Sequence, residues 1–271
     1  MNEKLNWFTI LLNKWLGGLV LKLLHVLHIT PNDSVHPIPN HVAMGLVVFL
    51  IAVLFFLWIR PRISVDKPGA TQQVMEMLIT NPMRVGIRDI LEDSIEHEPL
   101  HYLNLVGSIA IFVLMSNLIS ISPAFDSPTG HPTVPLACAI LTFLSYNWWG
   151  LRHHGPIGYA KTFAGPVWWL SWLLFPVELI SSFARLLSLT VRLWANIFAS
   201  ELIYVVFLGL LMAPSAHFSV TAPILSWALA IFPAIFPAIF ILLHAFVAVV
   251  QAFVFTILPA VYIGLATSHE H

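Results

Sequence analysis

A chain of 271 residues that is 58 % hydrophobic and only 9 % charged, with a mean hydropathy of +0.86, is built for a membrane; a soluble domain carries about 25 % charged residues. A formal net charge of -1 excludes a basic nucleic-acid-binding surface. The single cysteine, Cys138, lies in an apolar stretch and cannot form an internal disulfide, so it leaves the redox compartment open.

Residues 1–30 read as an interfacial amphipathic helix, because Lys4, Lys14, Lys22 and His25 fall in one ~80° sector of a helical wheel. The same charges recur through what would be the apolar core of a cleaved signal peptide, and no small-residue cleavage site follows, which favours a retained helix. TPNDSVHPIPN, Thr30 to Asn40, is then a polar, Pro-rich break. Residues 31–271 form one membrane domain with about five spans, at 41–59, 103–121, 134–149, 170–212 and 220–266. Between the first two spans, residues 60–99 are too charged to cross and predict short helices on the cytoplasmic surface.

Orientation follows from basic residues in the loops. Arg60, Arg62, Lys67, Arg84 and Arg88 follow the first span, and Arg152 and Lys161 follow the third. The loop SPAFDSPTGHPT between spans two and three has neither Lys nor Arg. The two basic loops therefore belong to the cytoplasm, with the N-terminus outside and the C-terminus inside.

The fourth span carries most of the chemistry. From Val177 to Ala213 no proline interrupts 37 residues, which as a helix measure roughly 55 Å against a hydrocarbon core about 30 Å thick. Such a helix must lie obliquely. It contains Glu178, Arg185, Arg192 and Glu201, each costing at least ~2.5 to 3.5 kcal/mol in lipid. With Arg192 as zero, Ser188, Asn196, Arg185, Ser181 and Glu178 all lie within roughly 40°, whereas Glu201 lies about 180° away. One face is thus built around a permanent cation and the other carries a lone carboxylate.

The fifth span is the reverse case, since Leu202 to His269 contains no Asp, Glu, Lys or Arg. Its polar groups are His217, His244, Gln251 and small hydroxyls. IFPAIFPA, Ile231 to Ala238, places two prolines four apart and predicts a bend.

These spacings carry a resemblance. SLTVRLWANIFASE, Ser188 to Glu201, resembles the SLxxRLxxNxxAxE signature of subunit a of the F-type ATP synthase. HAFVAVVQAFVFTILPAVYIGLA, from His244, is similar to that family's last helix, with His244 and Gln251 in place. NLISISPAF, Asn117 to Phe125, is similar to its NLxGLxP segment. Ala195 and Ser200 stand where glycine is commoner in the family, and Arg185 where lysine is common.

The resemblance implies an all-α polytopic subunit whose last two helices are long, oblique and antiparallel. It implies a non-catalytic stator that passes ions to a rotating ring of c subunits, with a b-subunit peripheral stalk, other synthase subunits and membrane lipid as further partners. On that reading Arg192 is the gate that deprotonates ring carboxylates; Glu201 and His244 relay protons from outside; Asn196 and Gln251 hold water or fix the relay. Glu178, Ser181 and Ser188 belong to the path on the cytoplasmic side, with Arg185 as an accessory lipid or stator contact. Protons suit the Glu201/His244 pair better than sodium. No cofactor, metal or nucleic acid is implied, and the chain has no GxxxxGK[ST] motif, so ATP chemistry belongs to other subunits. Uncleaved targeting and short loops favour a bacterial inner membrane.

Two rival readings are weaker. HEPLH, His97 to His101, matches the HExxH zincin pattern, but Pro99 forbids one continuous helical turn carrying both histidines. A secondary transporter would show internal repeats, and beyond the two IFPA units none is visible.

Overall fold

The computed structural model describes residues 5–28, 30, 35–65, 67–81, 84–96, 98–121, 125–164, 168–218 and 223–267, with backbone alone at 160–164, 168, 204, 207–208, 210–218 and 223–238. The described residues are helical throughout their regular structure: α1 (Trp7–Val26), α2 (Asn40–Ile59), α3 (Ala70–Ile79), α4 (Ile87–Ser94), α5 (Leu103–Ile119), α6 (Thr133–Ala164), α7 (Ser171–Phe218) and α8 (Pro223–Thr267). This is an all-α polytopic membrane protein. Among the described residues six helices are long and apolar enough to cross a bilayer, the five expected spans together with α1.

Helix α1 meets the rest of the chain at one end. The backbone N–H of Asn6 donates to Asn40 Oδ1 at 3.2 Å, and the buried Asn13 exchanges two 2.9 Å bonds with the backbone of Ile38. Thr9, Asn13 and Gly17, four apart, form its buried stripe, while Trp7, Trp15 and Lys14 are exposed. The short helices α3 and α4 are amphipathic, as the charged segment 60–99 predicts. Ile87, Ile90, Leu91 and Ile95 of α4 and its C-cap pack on Tyr102, Val106, Tyr146, Ala260 and Ile263.

Helix α6 runs beyond its expected end near residue 149. It breaks at Gly155, whose φ of 70° and ψ of 166° reverse the chain before Pro156, a conformation open to glycine and costly for other residues. Tyr159 then returns to donate to Asn147 Oδ1 at 3.0 Å.

Helices α7 and α8 span 48 and 45 residues, roughly 72 and 68 Å, each about twice the bilayer's apolar thickness. Pro223 sits at the first position of α8, where its missing N–H costs nothing. Pro176 and Pro214 fall inside α7, which therefore begins and ends about one and a half turns outside the proline-free stretch. Pro233 and Pro237 lie within α8, and their side chains and that of His217 are outside the described residues.

The two helices are antiparallel: His244 meets Ser200, and Tyr262 lies under Arg185. Their seam is dry, with Leu189, Leu193 and Ile197 of α7 against Phe255 of α8 and Ile109 and Val113 of α5. In lipid such contacts are held by close van der Waals packing, which small residues allow. Helix α8 carries small residues at Ala248 and Ala252, and further along at Ala260 and Gly264 where it packs on α4 and α5.

Gly264 is the tightest of these. A Cβ there would collide with the backbone oxygen of Ser94. Gly264→Ala is expected to push α4 off α8 and cost about 1–3 kcal/mol. A lower unfolding temperature of the purified protein in detergent checks this; an unchanged one refutes it.

Candidate ion-translocation site

The antiparallel register sorts the polar residues into three groups. The first is a cleft of about 220 Å³ lined by Ser120, Phe125, Asp126, Ser200, Glu201 and His244 among others. Ser200 and Glu201 come from α7, His244 from α8, and Ser120 and Asp126 from the end of α5 and the loop after it. The Glu201 carboxylate lies against Gly130, where a Cβ would stand 3.1 Å from Oε2. Asp126 is in turn bonded by Asn6 Nδ2 at 2.8 Å, which ties α1 to the rim.

His244 is 9 % exposed and bonded on both ring nitrogens: Nδ1 lies 2.7 Å from Ser200 Oγ, and Nε2 lies 2.9 Å from Ser120 Oγ and 3.1 Å from the Asn117 carbonyl. Behind it the loop 127–130 folds inward. Ser127 Oγ donates to the Ser116 carbonyl at 3.1 Å, and Thr129 Oγ1 donates to Asn117 Oδ1 at 2.7 Å. Asn117 Nδ2, Ser116 Oγ and Gln251 Oε1 are buried with no partner among the described residues. Buried polar atoms left bare are costly, and such a run is where ordered water binds.

The second group is the cationic stripe. Ser188 and Arg192 are exposed and Asn196 is half-buried, all beside the dry seam rather than in it. Arg192 makes no hydrogen bond or ion pair with any described residue. On the wheel the buried positions 189, 193 and 197 centre about 100° from Arg192, with Glu201 about 80° further on, so the two charges flank one packed face. His244 beside Ser200 puts Gln251, about 10 Å along α8, level with Leu193 and so next to Arg192 in height.

The third group lies toward the start of α7. Arg185 donates to Glu178 Oε1 at 2.9 Å, approaches Ser181 Oγ at 3.5 Å, and stands 5.4 Å over the Tyr262 ring. Glu178 is thus committed to Arg185 and not to Arg192.

Sequence reasoning singled out Glu201 and His244, which meet in one cleft, but it missed Asp126, Ser120, Thr129 and the Asn117 carbonyl. The hint available was a polar Asn117–Ser120 pair closing an apolar helix.

The zincin pattern does not form a helical turn: Glu98 is left-handed, with φ 49°, and Pro99–Tyr102 is a 3-10 turn. His97 is outside the described residues, and no group of three metal-binding side chains is gathered among those described.

Comparison with known proteins places these features in context. The family described as ATP synthase A chain matches residues 42–264. ATP synthase subunit a of Koribacter versatilis is 40 % identical over 265 residues, covering 98 % of both chains. The subunit a of Solibacter usitatus is 38 % identical over 87 % of this chain and 90 % of its own. That of Desulfosudis oleivorans is also 38 % identical, over 89 % and 91 % respectively.

Proposed function

The chain belongs to the ATP synthase A chain family, and from that premise we propose that it is the ion-translocating stator of a rotary synthase, passing protons between two offset half-channels through a ring of c subunits. The chain itself is not catalytic; it carries ions while nucleotide chemistry proceeds on other subunits. One observation carries the reading: an exposed guanidinium with no partner among the described residues, on one flank of α7, faces away from a polar cleft on the other flank.

The chemistry is electrostatic. A guanidinium stays charged in any protein setting. A ring carboxylate passing about 4 Å from Arg192 gains roughly 4 kcal/mol at an effective dielectric of ~20, close to 3 pKa units, and releases its proton. Away from the cation, in lipid, the neutral acid is favoured. Protons reach the ring through the Glu201/His244 cleft, with Asn196 and Gln251 holding water along the way. They leave by the Ser188, Ser181 and Glu178 side, where Arg185 keeps Glu178 in place. Arg192 also bars a direct wire between the two paths, because a proton nearing it meets like charge.

On this reading the cleft opens outside, and the basic loops and C-terminus lie in the cytoplasm of a bacterial inner membrane. Helix α1 lies along the outer interface, held by its cap residue Asn6 and by the buried stripe of Thr9, Asn13 and Gly17. The b-subunit stalk holds the stator still.

Affinity purification of the tagged chain tests the assignment. A ring of small two-helix subunits is expected to co-purify, and a cysteine at position 188 or 195 is expected to cross-link to the ring helix bearing its carboxylate. A chain that purifies without a ring, or whose ring cross-links only through α2, overturns the reading.

A further inference from the structure

A hydroxyl has one proton to give, and around His244 the possible directions can be counted. The Asn117 carbonyl can only accept. It lies 3.1 Å from Nε2 and 2.8 Å from Ser120 Oγ, so Ser120 spends its proton there and accepts from Nε2 at 2.9 Å. A bare Nε2 would set its lone pair against the carbonyl's. Nε2 therefore carries a hydrogen in either charge state of the ring.

The other nitrogen is different. Nδ1 faces Ser200 Oγ at 2.7 Å, and the same Ser200 Oγ lies 2.8 Å from the Ile197 carbonyl. With a neutral ring the Ser200 proton points at Nδ1. With an imidazolium it turns to the Ile197 carbonyl, and the oxygen accepts Nδ1–H. Both charge states keep a hydrogen bond on each nitrogen, which avoids the cost of a stranded polar atom in a buried site.

We propose that Ser200 is a positioning residue for proton transfer at His244: it holds the neutral ring as the Nε2–H tautomer, makes Nδ1 the nitrogen that gains and loses the proton, and rotates its hydroxyl to suit. In the loading step one proton from cleft water joins Ser200 Oγ as the serine's own proton moves to Nδ1, so the hydroxyl is unchanged and the ring gains one charge. Unloading runs the same exchange backwards. The charged groups facing the ring in this cleft are Glu201 on α7 and Asp126 on the loop after α5, while α5 itself offers only neutral partners. This rests on the reading of His244 as a relay group.

The test uses the intact complex in vesicles, with passive proton conduction as the readout. Ser200→Ala is expected to lower conduction about tenfold, the scale of a lost hydrogen bond to a charged group. Ser200→Thr, which keeps the hydroxyl, is expected to stay within about twofold of the unaltered complex, since the effect follows the hydroxyl. In a His244→Gln background Ser200→Ala is expected to add nothing. Separately, 15N-histidine NMR, with His244 assigned by its loss in His244→Gln, is expected to show a protonated Nε2 and a bare Nδ1 for the neutral ring. A neutral ring protonated on Nδ1, or Ser200→Ala conducting like the unaltered complex, overturns the inference. If His244→Gln itself conducts normally, it is the relay reading that has failed.

Discussion

Replacing Arg192 with alanine is expected to abolish gradient-driven ATP synthesis while the complex still assembles. The side chain is exposed and makes no hydrogen bond or ion pair with a described residue, so its removal disturbs no polar contact among them. What the proposed gate would lose is the roughly 4 kcal/mol by which the cation favours an ionised ring carboxylate, or about a thousandfold in the ionised fraction. The barrier to a direct proton wire is lost with it, so vesicles should leak protons without making ATP. Arg192→Lys is not a safe replacement, because an ammonium on a flexible stem can lose its proton in an apolar setting. ATP synthesis by Arg192→Ala vesicles at even a tenth of the normal rate would end the gate assignment.

Glu201→Gln should reduce proton conduction by about a hundredfold, the lower end of what a positioned acid or base contributes. Glutamine keeps the shape and its amide oxygen can still accept a hydrogen bond, so the cleft against Gly130 should survive. It cannot carry a proton onward. Conduction measured with a pH-sensitive dye in vesicles holding the complex checks this. An unaltered rate would move the inlet elsewhere, with Asp126 the next carboxylate in the same cleft.

Much of the architecture was legible because lipid is a strict solvent. A charged stripe inside a proline-free apolar run marked α7, expected at 170–212 and found as Ser171–Phe218, and the charge-free tail marked α8, expected at 220–266 and found as Pro223–Thr267. The extension of α6 was not legible, since Gly155-Pro156 reads as a loop and only the folded chain shows helix on both sides of it. Helix α1 is ambiguous by composition: its residues satisfy both a span and a surface helix, and its lysines alone argued for the surface.

The site divides in the same way. Arg192, Glu201, His244 and Gln251 stand out because a charge or amide in an apolar run is expensive. The partners of His244 do not stand out. Asn117, Ser120 and Ser200 are small polar residues, unremarkable singly, and they gain meaning only when α5, α7 and α8 bring them around one ring. Asp126 looked like an ordinary loop carboxylate until Asn6 and the cleft claimed it.

The dry seam of Leu189, Leu193, Ile197 and Phe255 has an electrical consequence. Water in a cleft conducts, so little voltage falls along it; the drop concentrates where the medium turns to hydrocarbon. If the two flanks are the half-channels proposed above, one helix thickness of about 10 Å is the insulator between them. On that proposal each proton would fall through some 2.3 kcal/mol per 100 mV across that short gap rather than across the full bilayer, which would place the strongest field beside Arg192.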